Sequence, residues 1–245
     1  MRDPVSWPEK ASGNRAGRLR AVVTDVDGTL TDRRRRLDPR AIAAVRRLES
    51  RSIPVVLATG NVLPISLALH RFLGLSGPIV AENGGIVYRR DGTREVVERL
   101  ADVRVARSAF RAIVRAGVPA RRLFTDRWRE TEVAIEPTVP LAAVRRAVGR
   151  RNVAVESTGY AIHLMEKGAG KLPALRHALK PLGLAPSDCV VLGDGDNDVG
   201  MLRAAGFGVS FPSASVRARA AARYVTRANF SEGFVEGLKA GHLLH

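Results

Sequence analysis

Short apolar runs alternate with amphipathic stretches along most of this chain. Residues 19–24 are apolar and end at an acidic turn. The segment 38–51 (DPRAIAAVRRLESR) then opens on Asp38, a helix-capping residue type, and Pro39, which suits a first helical turn. Ile42, Val45 and Leu48 follow at helical spacing, so the pattern predicts a strand and then an amphipathic helix. The unit recurs as a strand over 53–58, a helix over 62–73 and a short strand over 78–81. Such alternation predicts a parallel sheet with helices on its faces.

From Gly84 the rhythm changes to short alternating stretches (IVYRR, REVVERL, TEVAIE, VAVEST, YAIHLME) with helical segments near 102–116 and 139–151. That mixture predicts a second, α+β unit with an antiparallel sheet. After Gly168 the first pattern resumes: helix 170–182, strand 188–192, helix 196–204, strand 207–210, helix 213–221, strand 224–226 and helix 231–240. The middle segment therefore reads as an insertion into one α/β domain. The divisions are a tail over 1–18, which is polar and aperiodic with Pro4, Pro8, Gly13 and Gly17, a first part of the core over 19–83, an inserted unit over 84–162, and a second part of the core over 163–245.

Two acidic clusters follow apolar strands. In DVDGTLT, residues 25–31, Asp25 is placed at the carboxyl end of a predicted strand, where open α/β sheets bind ligands. Asp27 is close enough to serve the same centre, and Gly28 permits a sharp turn; an ordinary acidic turn is the plain alternative. In GDGDND, residues 193–198, Asp194 ends a strand and Asp198 falls on the first helical turn, with Asp196 and Asn197 available as helix caps. Asp194 and Asp198 gathered near Asp25 and Asp27 would repel one another unless a cation joined them, and an all-oxygen donor set beside a phosphate points to Mg²⁺. Thr59 and Gly60 end another strand and can offer a hydroxyl and backbone N–H groups to a phosphoryl oxygen. Lys171, after GAG, supplies a compact positive charge at a helix start, although an ordinary surface lysine fits the same position.

Composition narrows the partners. The chain has 245 residues and a formal charge of +16, which invites a nucleic-acid reading. The arginines are spread through every segment, often as pairs such as Arg46 and Arg47, Arg121 and Arg122, or Arg145 and Arg146, the pattern of solvated helix faces; no nucleic-acid partner is expected. No apolar run reaches the roughly 18 residues that span a bilayer, and the amino-terminal stretch lacks the apolar centre of a signal peptide, so a soluble, cytoplasmic protein without a membrane partner is expected. The single cysteine, Cys189, excludes an intramolecular disulfide and a metal site built from cysteines.

Taken in order, DVDGTLT, ATGN, GAGK and GDGDND resemble the four signature motifs of haloacid dehalogenase-type phosphatases. The resemblance implies a Rossmann-like core with a C2-type cap inserted between the second and third motifs. It implies Asp25 as nucleophile, Asp27 as general acid and base, and Mg²⁺ held by the Asp25 carboxylate, the Asp27 backbone carbonyl, Asp194 and Asp198. Thr59, Gly60 and Lys171 would bind phosphate. Within that superfamily, GNVLPISLALHRFLG, GPIVAENGG, TDRWRE and STGYAIHLMEKGAGK resemble archaeal phosphoglycolate phosphatases. A small phosphorylated metabolite, 2-phosphoglycolate first, is then the substrate implied. Asn61 stands where sugar-phosphate relatives commonly carry Arg, which weighs against the alternatives of a sugar-phosphate phosphatase or a phosphomannomutase-like phosphotransferase. A regulatory or nucleic-acid-binding protein that keeps the fold without turnover is the non-enzyme alternative. Arg127, Trp128 or Arg129 is a candidate for gripping the substrate carboxylate, since an Arg fork matches that group, with packing of Trp128 and solvation of the arginines as the plain alternative. His163, in an alternating apolar stretch, reads as structural.

Overall fold

The computed structural model describes residues 19–158 and 160–244, so the tail over 1–18 lies outside the described residues. The strands are β1 (Ala21–Thr24), β2 (Val55–Ala58), β3 (Ile79–Ala81), β4 (Ile86–Asp91), β5 (Arg94–Arg99), β6 (Val133–Ile135), β7 (Val153–Ser157), β8 (Ile162–Glu166), β9 (Cys189–Leu192), β10 (Phe207–Ser210) and β11 (Tyr224–Val225). The helices are α1 (Pro39–Ser50), α2 (Leu63–Leu73), α3 (Val103–Arg115), α4 (Leu141–Val148), α5 (Lys171–Leu179), α6 (Val199–Ala204), α7 (Val216–Ala221) and α8 (Phe230–Ala240). None of them is long and apolar enough to cross a membrane.

Eight strands form one sheet in the order β11-β10-β9-β1-β2-β3-β4-β5. All pairs from β11 to β3 are parallel, and β4 and β5 are added antiparallel. The α/β class expected from the alternating pattern is thus borne out. Strands β1, β2 and β9 read as unbroken apolar runs because parallel strands are covered on both faces, and every residue in them is buried. The hairpin of β4 and β5, expected to belong with the inserted unit, instead extends this sheet: Ile79 pairs with Tyr88 and Ala81 with Ile86. The chain leaves the sheet after Arg99 and returns at α5.

Local chemistry sets the boundaries. Asp38 caps α1, its side chain accepting the Arg40 N–H at 2.8 Å, and Ser215 caps α7 by accepting the Ala218 N–H at 3.1 Å. That cap starts α7 at Val216, three residues later than the apolar pattern suggests.

The second sheet, β6-β8-β7, is antiparallel. Side chains alternate across it. Val133, Ile135, Val153, Ile162 and Leu164 join Ala106, Ala109 and Ile113 of α3 and Val144 and Val148 of α4 in an apolar cluster distinct from that of the large sheet. Ala134, His163 and Glu156 form one cross-strand row on the other face.

Candidate active site

The strand order reverses between β2 and β9 on either side of β1, which makes the carboxyl ends of these three strands a topological switch point. Register aligns those ends: Thr24 pairs with Leu57 on one side and with Leu192 on the other. Asp25, Thr59 and Asp194 therefore emerge along a single rim, and Lys171 joins them from the first turn of α5.

Lys171 is the hub. Its side chain is buried, and Nζ donates to Asp25 Oδ1 and to Asp198 Oδ1, each at 2.7 Å. The second Asp198 oxygen accepts the backbone N–H groups of Asp194 at 3.1 Å and Gly195 at 3.0 Å, which folds the acidic loop onto the start of its helix. Burial opposes the charge on Lys171, but Asp198 and Asp25 outweigh it and hold its pKa above the usual lysine value. The acids fare differently. Burial, followed by Asp198 and Asp194, pushes Asp25 well above the carboxylate range against the pull of Lys171. Burial, and then Asp198, pushes Asp194 to about 7.

One carboxylate oxygen from each of Asp25, Asp194 and Asp198 lies within 4.8 Å of the other two. Three acids and one lysine leave the cluster short of positive charge, and the donors are hard oxygens; both features fit a divalent cation. The Asp27 side chain does not join them. Its Oδ2 accepts from Asn61 Nδ2 at 2.8 Å, and its Oδ1 lies 3.8 Å from Arg35 Nε. The Arg35 guanidinium in turn sits 3.6 Å from the ring centroid of Tyr160.

Two glycines let the loops close on one another. Gly28 has φ +79°, and a Cβ there would collide with the Asp194 carboxylate. Gly84 has φ +100°, and a Cβ there would strike the Gly170 carbonyl directly before Lys171. Thr59 is buried, and its Oγ1 accepts from both Asn61 N and Asn61 Nδ2 at 3.1 Å. A Cβ on Gly60 would lie 2.9 Å from Asn83 Oδ1.

All seven residues singled out from the motifs thus fall at the rim: Asp25, Asp194, Asp198 and Lys171 in direct contact or close range, Thr59 and Gly60 on the neighbouring strand end, and Asp27 turned toward Asn61. The capping role considered for Asp196 and Asn197 is corrected. Asp196 accepts from Ser215 Oγ at 2.6 Å and lies 3.2 Å from Arg217 Nη1, so it ties the loop to α7. Asn197 Nδ2 donates to Asn83 Oδ1 at 3.0 Å.

The motifs did not signal the second layer. Asn83, in a left-handed conformation at φ +53°, donates through Nδ2 to Glu132 at 3.1 Å and meets His163 Nδ1 at 3.1 Å, so it links the rim to the smaller sheet. Glu82, also left-handed, accepts from Glu130 N, Thr131 N and Thr131 Oγ1. Asn83 and Gly84 at a strand's carboxyl end were the only available hint. Burial alone would raise the Glu132 carboxyl, but His163 and Arg129 together hold it below the usual range. His163 has the structural surroundings expected of it: it is buried, with Nδ1 3.2 Å from both Glu132 oxygens. Trp128 is half-exposed, edge-on to Phe124 with Arg127 over both rings, whereas Arg129 is buried and donates through Nη1 to Gly60 O at 3.0 Å.

Comparison with known proteins agrees with this geometry. A sequence model of the haloacid dehalogenase-like hydrolase family matches residues 22–120 and 138–238. The phosphoglycolate phosphatase of Methanothermobacter thermautotrophicus is 36% identical over 221 residues, 90% of this chain and 98% of its own length. That of Methanoculleus marisnigri is 38% identical, with 90% and 96% covered. Among solved structures, protein 0175 of Thermoplasma acidophilum superimposes with a TM-score of 0.84 at 28% identity, covering 93% of this chain and all of that one. The subclass IIB sugar phosphatase BT4131 shares the fold, with a TM-score of 0.73 at 18% identity over 92% of this chain and all of its own.

Proposed function

The chain belongs to the haloacid dehalogenase-like hydrolases, and on that premise we propose that it hydrolyses 2-phosphoglycolate to glycolate and inorganic phosphate through a phosphoaspartyl intermediate on Asp25. The observation that carries the chemistry is the convergence of a buried Asp25 with Lys171 and Asp198 at a switch point of the sheet. The substrate rests on the relatives named phosphoglycolate phosphatase, which match nearly the whole chain.

An Asp25 carboxylate oxygen attacks phosphorus, the bond from phosphorus to the ester oxygen breaks, and Asp27 delivers a proton to the departing glycolate oxygen. Asp27, now a carboxylate, takes a proton from water as the water oxygen attacks the aspartyl phosphate. Phosphate leaves and the Asp25 carboxylate is restored. Asn61 and Arg35 keep Asp27 beside the rim without occupying Asp25. Lys171, held charged by its two acids, orients Asp25 and offsets charge on the phosphoryl oxygens, to which Thr59 and Gly60 offer hydroxyl and backbone donors. Asp25, Asp194 and Asp198 form the oxygen set that would hold Mg²⁺, joined by the Asp27 backbone carbonyl that the family resemblance implies, and the bound ion would neutralise the acids and the transferring group. The unit built from α3, α4 and the three-stranded sheet serves as the cap that covers the rim and excludes water.

The test is phosphate release from 2-phosphoglycolate, hexose phosphates and p-nitrophenyl phosphate, with Mg²⁺ or with EDTA, by wild type and Asp25→Asn. Release is expected only with Mg²⁺ and intact Asp25, fastest from 2-phosphoglycolate. Wild-type turnover in Asp25→Asn refutes the mechanism, and equal rates across the panel refute the substrate.

A further inference from the structure

Arg129, in the segment that leads into β6, reaches the loop of Thr59 and Gly60 by donating to Gly60 O. The segment carrying it is fixed from the core side, because Glu82 accepts the N–H groups of Glu130 and Thr131 and the Thr131 hydroxyl. Arg129 itself is 5% exposed. Both of its hydrogen bonds leave from Nη1, one to Gly60 O at 3.0 Å and one to Glu132 Oε1. Its Nε is sealed from solvent and has no partner. A buried cationic donor left unpaired is costly, so its persistence asks for an acceptor that arrives from elsewhere.

The position of that donor indicates the acceptor. Nε belongs to the side edge of the guanidinium, the edge that grips a carboxylate with two parallel bonds. Gly60 follows Thr59 directly, so the edge stands beside the loop proposed to hold the phosphoryl group. Phosphate and carboxylate in 2-phosphoglycolate are separated by a single methylene carbon, and the second anion must therefore fall close to the first. Glu132 pairs with the guanidinium through Nη1 and does not occupy the Nε edge. Its oxygens also meet His163 Nδ1 at 3.2 Å and Asn83 Nδ2 at 3.1 Å, which fixes the carboxylate that orients Nη1. Burial pushes the carboxyl of Glu156, on the same face of the smaller sheet, above the usual glutamate range.

We infer that Arg129 is the specificity-determining residue of this site, its Nε edge receiving the carboxylate of the substrate while Glu132 and Gly60 hold its other nitrogen. This inference rests on the proposed 2-phosphoglycolate activity and adds the group that reads the substrate's acid.

The experiment compares kcat/KM of the full chain for 2-phosphoglycolate and for ethyl phosphate, which has the same two-carbon length and no second charge. Wild type is expected to prefer 2-phosphoglycolate. In Arg129→Met the ratio of the two values should fall by about 10- to 100-fold, chiefly through KM for the acid. Arg129→Lys, which keeps a charge beside Glu132 but has no fork, should lose most of the preference and decides the matter where Arg129→Met does not fold. A wild-type ratio retained in folded Arg129→Lys overturns the inference and leaves the substrate assignment standing. A wild-type enzyme that does not distinguish the two esters overturns the substrate assignment, and the inference falls with it.

Discussion

Gly84 touches no reacting group, yet replacing it with alanine should disable the site. Its φ of +100° is a conformation that a Cβ makes unfavourable, and the added carbon would lie 2.9 Å from Lys171 N and closer still to the Gly170 carbonyl. Restoring a normal contact of about 3.5 Å requires the backbone before Lys171 to move by roughly 1 Å. Lys171 Nζ stands 2.7 Å from both Asp25 and Asp198, so that movement breaks or lengthens the pairs that orient the nucleophile. A displacement of about 1 Å can cost on the order of 100-fold in rate. The strained backbone adds about 1–2 kcal/mol and overpacking about 1–3 kcal/mol, for a total of about 2–5 kcal/mol. At roughly 2–4 °C per kcal/mol for a chain of this size, Tm should fall by about 4–20 °C. Gly92→Ala is the control. Gly92 also has positive φ, at +59°, but nothing lies within 4 Å of its added Cβ, so it should lose about 1 kcal/mol of stability and no activity. Steady-state phosphate release and thermal unfolding measure both effects. A Gly84→Ala protein with wild-type kcat/KM and a Tm within about 1 °C of wild type would show that the contact between Gly84 and Gly170 does not position Lys171.

Three further outcomes follow from the same contacts. Asp194, raised to about 7 chiefly by burial, binds its proton more tightly folded than unfolded, so the metal-free protein loses stability as pH rises from about 4 toward 7. Mg²⁺ should therefore raise Tm far more at pH 8 than at pH 5, and an equal rise at both, measured against EDTA, contradicts this. Asn61→Ala removes the 2.8 Å bond to Asp27; kcat/KM should drop about 3- to 10-fold with little change in Tm, and an unaltered rate would free Asp27 from any dependence on Asn61. Glu82→Ala strands the Glu130 and Thr131 donors and should cost about 3 kcal/mol or more, read as a lowered urea midpoint, with Glu82→Gln less severe; equal midpoints for all three proteins would refute the anchoring role.

The sequence alone was enough for the α/β alternation, most element boundaries and the acids at the strand ends, because these are set locally. A fully buried parallel strand is a short unbroken apolar run, as in β1, β2 and β9, and the first one or two residues after it lie at the rim whatever the rest of the chain does. Asp25, Thr59 and Asp194 could be placed on that ground. What the pattern could not decide was which partner each element takes. The hairpin of β4 and β5 alternates in the same way whether it joins one sheet or the other, and only its pairing with β3 assigns it to the large one. Asp196 and Asn197 look like helix caps until Ser215 and Asn83 come within reach. Arg129 is one arginine among many along the chain; its burial and its free Nε exist because Gly60, distant in sequence, and Glu82 and Asn83 close over its segment. Periodicity encodes which face of an element is buried, whereas the partners of a polar side chain depend on distances between elements far apart in the chain, and those are fixed only when the two apolar cores pack.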